Sequence, residues 1–342
     1  MLSQIFIGEK IVTPRVRIYE PFECMKRLYK ADYEFITNAL TYKEDDALFC
    51  IRTRTWSGSI EQGFDISQTL YNHNYLFFTE IDDSPELWPG YEETKYIDFR
   101  GAHAVTCSTE VLADRIREHN PYVKVLKNQI AALAPEKNFE DKGYITIFFG
   151  ALNRKDCWQD IMPVLNKFIK KYKNKLYFRV LSDIKFFESL ETPNKRYTMD
   201  KKMGTKEFVS YNVYMHELYN SDIALLPLKD TSFNRAKSDL KFIESGNAQV
   251  AVLASPTVYE GVIEDGKTGF IYRTPREFQA KLEILIKDRN KRIEMAKAAY
   301  EYVKRERLLI NNIEERYNWM REMYARREEL NKDVLKRCEG IL

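Results

Sequence analysis

The chain has 342 residues, 44% of them hydrophobic and 31% charged, with 22 Tyr and 20 Phe; this is enough apolar matter for two packed domains of about 150 residues each and excludes a disordered chain. Its 54 basic and 51 acidic residues leave a net charge of +3, which excludes the strongly basic profile of a nucleic-acid binder. Five cysteines, odd in number, widely spaced and without a Cys-x-x-Cys pair, argue against a zinc ribbon or a disulfide framework and fit a reducing cytoplasm.

Short apolar runs alternate with amphipathic helical patterns, the pattern of βαβ units and parallel sheets. In the first part, strands are predicted at Gln4–Ile7, Tyr33–Ile36, Ala47–Ile51, Tyr75–Thr79, His103–Cys107 and Val123–Leu126. Helical patterns lie between them, among them Glu20–Tyr29 and Glu110–His119, the latter with Ser108-Thr109 placed to cap it. Cys50 and Cys107 sit in apolar runs and read as core thiols. Residues 131–143 (AALAPEKNFEDKG) are polar, contain Pro135 and carry no apolar period, so a linker is expected between a domain over 1–130 and one over 144–305.

The second series opens with the run Tyr144–Phe149 and continues with predicted strands Leu176–Leu181, Ile223–Leu226, Val250–Leu253 and Phe270–Tyr272. Helices are predicted at Trp158–Tyr172, Lys206–Tyr219, Ser238–Ser245 and Pro275–Lys287. From Asn290 to Cys338 the composition favours helix, and two long helices are expected. Ile310, Ile313, Tyr317, Met320 and Tyr324 form an apolar stripe there. The tail over 306–342 reads as a packing or coiled-coil element, or one that crosses back to the first domain. The N-terminus MLSQIFIGEK has no basic leader followed by a long apolar run, and no stretch approaches the ~20 apolar residues of a membrane helix. A soluble or at most peripheral protein is expected; the basic clusters Lys26-Arg27 and Lys170-Lys171 read first as solvated helix faces, and they or the charged tail helix could meet an anionic membrane surface.

In parallel α/β sheets ligands bind outside the carboxyl ends of the strands. The informative segment is PLKDTSFNRAKSDLKFIESGNAQVAVLA, residues 227–254, which joins two predicted strands through a polar loop and a helix. Lys237 closes the loop and Ser238 or Asp239 is placed to cap the helix. A helix N-terminus with a lysine beside it suits a diphosphate. Glu244 can accept bonds from two vicinal hydroxyls; the bland alternative is a carboxylate on the helix surface. Asp82 and Asp83 stand at the carboxyl end of a central strand, where one could orient an acceptor or act as base, or simply cap a turn before Pro85. The four histidines include no pair at ligand spacing, so no metal site is expected. Neither a G-x-G-x-x-G nor a P-loop occurs, against dehydrogenases and P-loop kinases.

The stretch Phe233-Asn234-Arg235-Ala236-Lys237-Ser238-Asp239-Leu240-Lys241-Phe242-Ile243-Glu244 resembles the donor-site segment of bacterial GT-B glycosyltransferases, closest to the retaining, family-4-like enzymes of surface-polysaccharide and glycolipid synthesis. The following Val250-Ala251-Val252-Leu253-Ala254-Ser255 strand and the turn Ile263-Glu264-Asp265-Gly266-Lys267-Thr268-Gly269 fit the same pattern, over most of Tyr144–Val303. More weakly, Thr79-Glu80-Ile81-Asp82-Asp83, Arg100–Ser108 and Val123–Asn128 resemble the first domain of these enzymes. The resemblance implies two Rossmann-like domains facing a cleft and sugar transfer from a UDP-, GDP- or dTDP-sugar to a saccharide or lipid-linked acceptor, with retention and without metal. It implies that Gly150, Asn234, Lys237, Ser238, Asp239 and Glu244 hold the donor. Arg154 or Lys155 would clamp phosphate, and Lys237, Arg154, Asp82 and Asp83 would serve the chemistry. Arg15 or Arg17 would meet acceptor or phosphate, and Trp56 or Trp88 would stack on sugar or pack in the core. One departure stands out: Ala236 occupies the place, eight positions before Glu244, where many retaining relatives carry a donor-contacting Glu. A non-catalytic nucleotide-sugar-binding or scaffolding subunit is therefore the second reading. An epimerase or a phosphorylase on the same architecture is the third, and the absence of a cofactor-lysine motif counts against the phosphorylase.

Overall fold

The computed structural model describes residues 5–6, 15–31, 33, 35–36, 48–53, 58–152, 154–199, 201–203 and 206–341. Trp56 lies outside them, as do Gln4 and Ile7 of the first predicted strand, Glu34 of the second and Ala47 of the third. The chain divides into two compact units. One comprises Met1–Ala131, Ala236–Ser238 and Leu309–Leu342; the other comprises Ala132–Arg235 and Asp239–Leu308.

In the first unit, β1 (Ile5–Phe6) pairs with β2 (Phe35–Ile36). A separate parallel sheet has the order β3 (Leu48–Thr53), β4 (Tyr75–Ile81), β5 (Ala104–Cys107), β6 (Val123–Val125). All seven residues of β4 are buried, as a central parallel strand covered on both faces requires. The tail packs on this unit: Leu309, Ile313, Met320, Met323 and Leu330 share a core with Ile18, Phe22, Met25, Leu76, Phe78 and Ala104. The predicted stripe is therefore shifted. Ile310 is 52% exposed, and Leu309 and Met323 take the inward positions.

In the second unit, β7 (Ile145–Gly150), β8 (Leu176–Leu181), β9 (Lys195–Thr198), β12 (Ile223–Leu226), β13 (Ala251–Ala254) and β14 (Phe270–Ile271) form one parallel sheet in the order β14-β13-β12-β7-β8-β9. The strand order runs outward in both directions from the β7–β12 pair, so the topological switch point lies between their carboxyl ends, where Gly150 and Pro227 begin their loops. This is where open α/β sheets bind ligands. Two expectations are corrected. The helix predicted over Lys206–Tyr219 begins at Tyr211, because Lys206–Phe208 (β11) pairs antiparallel with Lys201–Met203 (β10). The C-terminal region holds three helices, Arg289–Glu306, Leu309–Ala325 and Arg327–Glu339, rather than two.

Candidate functional site

The β7 loop is built on a close approach. A Cβ on Gly150 would lie 2.7 and 2.9 Å from the Phe148 ring and 3.0 Å from Tyr214, so only glycine fits where β7 ends. Lys241 Nζ donates to the Gly150 carbonyl at 2.5 Å. Arg154 follows. Its backbone N–H donates to Asp183 Oδ2 at 3.1 Å, and the same carboxylate takes the Trp158 indole N–H and caps the helix Ile184–Ser189 through Phe186 N–H. The Arg154 guanidinium donates to Asn234 Oδ1 at 2.9 Å. Asn234 is buried and spends its amide N–H on the Lys229 carbonyl at 2.9 Å. Arg154 lies in the loop after β7 and Asn234 in the loop after β12, so this bond bridges the switch point and holds a cation there. Lys155 is exposed at the start of a short helix, Lys155–Trp158. Of the two candidate phosphate cations, Arg154 is the one fixed in place.

The helix predicted from Ser238 begins at Leu240 and runs to Asn247. Asp239 stands at its N-cap position, but its side chain makes no capping bond. Both carboxylate oxygens are taken by the Arg307 guanidinium, one at 2.8 Å, with the side chains only 5% and 11% exposed. Ser238 does not cap either; its Oγ accepts from Asn128 Nδ2 at 2.7 Å. The capping expectation fails because each side chain has a stronger partner distant in sequence. Burial lowers the pKa of Arg307's guanidinium, but bonding to Asp239 outweighs it and raises the pKa overall. Glu244 is 4% exposed, which overturns the reading of a surface carboxylate. Its charge adds to burial in raising the nearby Tyr214 phenol.

Within the first unit, three consecutive residues dock on the carboxyl ends of three adjacent strands. Thr109, after β5, donates to the Ala236 carbonyl at 3.0 Å. Asp83, after β4, accepts from Lys237 Nζ at 2.7 Å. Asn128, after β6, holds Ser238. Ala236 is fully buried among Ile81, Val105, Cys107 and Leu112. Asp82 is half-buried beside Asp83. Arg17 does not face a ligand: it is 2% exposed and bound to Glu80 and to Asn128 Oδ1, because a π-helical turn over Arg15–Tyr19 directs it inward. Arg15 pairs with Glu20 at 2.8 Å. Trp88 is half-buried and meets Tyr91 edge-on. Among the described residues, no group of three or more His, Cys, Asp or Glu could hold a metal ion, and no helix is long and apolar enough to cross a membrane.

Residues 165–316 match a family described as glycosyl transferase-like. No curated protein matches. Solved structures of similar fold include HepE of Anabaena in complex with UDP and glucose, 10% identical over 94% of this chain and 100% of that one, TM-score 0.62. The fold is GT-B. WaaG, a glycosyltransferase involved in lipopolysaccharide biosynthesis, is 10% identical over 92% of this chain and 98% of that one, TM-score 0.57. A TarM variant of S. aureus, in complex with fondaparinux, α-GlcNAc-glycerol and UDP, is 14% identical over 80% of this chain, with a TM-score of 0.57. The present chain spans 55% of the length of that TarM chain.

Four residues of the candidate site escape sequence reasoning: Asp183, Tyr214, Lys241 and Arg307. Asp183 follows Ser182, which has a left-handed φ of 61°, and it opens the loop after β8. An Asp at the end of a predicted strand is a legible signal. Lys241 lay inside the quoted motif without a role. Tyr214 and Arg307 carry no sequence signal, since their partners are distant along the chain.

Proposed function

We propose that this protein transfers a sugar from a nucleoside-diphosphate sugar, with UDP, GDP or dTDP as the leaving group, to a saccharide or lipid-linked acceptor of a bacterial surface polysaccharide or glycolipid. The observation that carries the reading is the Arg154–Asn234 bond across the β7–β12 switch point, with the buried Glu244 on the helix that follows. The family match and the GT-B fold support it, as do the UDP and sugar ligands of the structural relatives. Arg154 and Lys237 stabilise the charge that develops on the leaving diphosphate. Glu244 accepts from the ribose hydroxyls.

The reaction is read as retaining and metal-independent. The C1–O bond to the β-phosphate breaks and its electron pair stays on the phosphate oxygen. The acceptor oxygen bonds to C1 on the same face, and its proton passes to the leaving phosphate. Asp82 then orients the acceptor and no dedicated base is needed. Work at the cytoplasmic side of a membrane, by peripheral contact through lysine-rich helix faces, completes the proposal.

A second reading, a non-catalytic nucleotide-sugar-binding subunit, is favoured by Ala236. This residue sits in an apolar cluster with no exposed surface, so no carboxylate can take the place it has in many retaining relatives. Isothermal titration with UDP- and GDP-sugars, followed by assay of donor hydrolysis and transfer over a panel of acceptors, separates the two. Binding with turnover supports the transferase. Binding with no turnover on any acceptor supports the subunit, and no binding of any nucleotide sugar rejects both.

A further inference from the structure

Tyr214 lies on the helix Tyr211–Tyr219, before β12 and outside the motif stretch 233–244. Its ring stands edge-on to Phe148, centroids 5.5 Å apart, and fills the space that a side chain at Gly150 would need. Lys241 Nζ, bound to the Gly150 carbonyl, sits 5.1 Å over the same ring. The Glu244 carboxylate, three positions after Lys241, bears on the Tyr214 phenol and, next to burial, raises it. One side chain thus touches the end of β7, the lysine that holds it, and the carboxylate read as the ribose ligand. Two residues of the helix Leu240–Asn247, three apart and on one face, are gripped by the two ends of one tyrosine.

We infer that Tyr214 is a positioning residue: its hydroxyl aims the Glu244 carboxylate at the ribose diol, while its ring keeps Lys241 seated on Gly150. The inference rests on the reading of Glu244 as the ribose ligand. A buried glutamate has several rotamers that place its carboxylate within the same small volume, and only some present both oxygens outward. A single O–H donor selects among them. Burial, and then the adjacent carboxylate, push the Tyr214 phenol well above its ordinary range, so it stays protonated and donates throughout the working pH. The ammonium over the ring adds a cation–π contact, which makes the ring more than filler.

The test is nucleotide discrimination. Whichever of UDP and GDP binds the wild-type protein more tightly is titrated alongside its 2′-deoxy counterpart, against wild type, Tyr214→Phe and Glu244→Gln. Tyr214→Phe keeps the ring, the Phe148 contact and the Lys241 seat, and removes only the hydroxyl. Wild type should prefer the ribonucleotide about 10-fold, the worth of one hydrogen bond to a charged group. Tyr214→Phe should weaken the ribonucleotide by about that factor, leave the deoxynucleotide within about 2-fold, and so abolish the preference. In turnover, KM for the donor should rise while kcat holds, a split that a general loss of folded protein would not produce. A preference kept by Tyr214→Phe but lost by Glu244→Gln overturns the positioning role alone, whatever the variant's melting temperature. Absence of a preference in wild type, or its survival in Glu244→Gln, overturns instead the assignment of Glu244 on which the inference stands.

Discussion

Replacing Asp83 by Asn is expected to tighten nucleoside-diphosphate binding. Lys237 Nζ lies 2.7 Å from Asp83 Oδ1, with side chains 18% and 21% exposed. A charge-assisted bond of this kind contributes about 1.5–3 kcal/mol when well shielded, and residual solvent on both partners brings the working figure to about 1–1.5 kcal/mol. A diphosphate that recruits Lys237 must displace the Asp83 carboxylate or sit beside it as a like charge. Asn keeps the shape and removes the competing charge, so the Kd for UDP should fall about 5- to 10-fold. The fold should lose no more than about 1 kcal/mol, because the Lys237 ammonium still reaches water. The assay is calorimetric titration of UDP into wild type, Asp83→Asn, Lys237→Ala and the double variant. Lys237→Ala should bind about 10-fold more weakly. The double variant should match it, since Asp83 bears on the diphosphate through Lys237. Weaker binding in Asp83→Asn, or a double variant in which the two effects simply add, would refute the reasoning. Unchanged UDP affinity with lost turnover would assign Asp83 to the acceptor instead.

Other consequences are open to direct measurement. Arg154→Ala should weaken UDP-sugar binding by about 10-fold or more, whereas Lys155→Ala should stay within about 2-fold; titration of both variants decides which cation clamps phosphate. Arg17→Met should destabilise the protein by about 3–5 kcal/mol in urea unfolding, because it strips the Oε1 of Glu80, 2% exposed, of its guanidinium partner. Burial pushes His103 down to about 4; its Nδ1 accepts from Phe77 N–H at 2.7 Å and its Nε2 meets Asn331 Oδ1 at 2.6 Å. The unfolded chain, with an ordinary pKa near 6.5, binds the proton that the folded chain refuses, so His103's share of stability is whole above that value and is lost as pH falls toward 4. Unfolding at pH 7 and pH 5 should differ by about 2 kcal/mol more in wild type than in His103→Gln.

The fold was legible where chemistry is local. The runs Leu176–Leu181 and Ile223–Leu226 are strands because β-branched, aromatic and leucine residues in short runs have no other place in a parallel sheet. Thr109 caps the helix Glu110–Arg117 as its side chain dictates. Legibility ended where a residue's partner lies elsewhere. Ser238 and Asp239 are good caps by type, yet Asn128 and Arg307, 110 and 68 positions away, claim them. Arg17 reads as a candidate for acceptor or phosphate until Glu80, 63 positions on, takes it inward. Lys206–Phe208 reads as helix until Lys201–Met203 pairs with it. The candidate site shows the same division. Gly150, Asn234 and Glu244 could be picked by motif, whereas Tyr214, packed against the end of β7, could not.

A crystal of the protein grown with UDP would put the donor site to its most direct trial. The account places the diphosphate against Arg154, beyond the carboxyl ends of β7 and β12, with both ribose hydroxyls within hydrogen-bond reach of Glu244. Density for UDP elsewhere on the molecule, or a ribose turned away from Glu244 at that place, would contradict it.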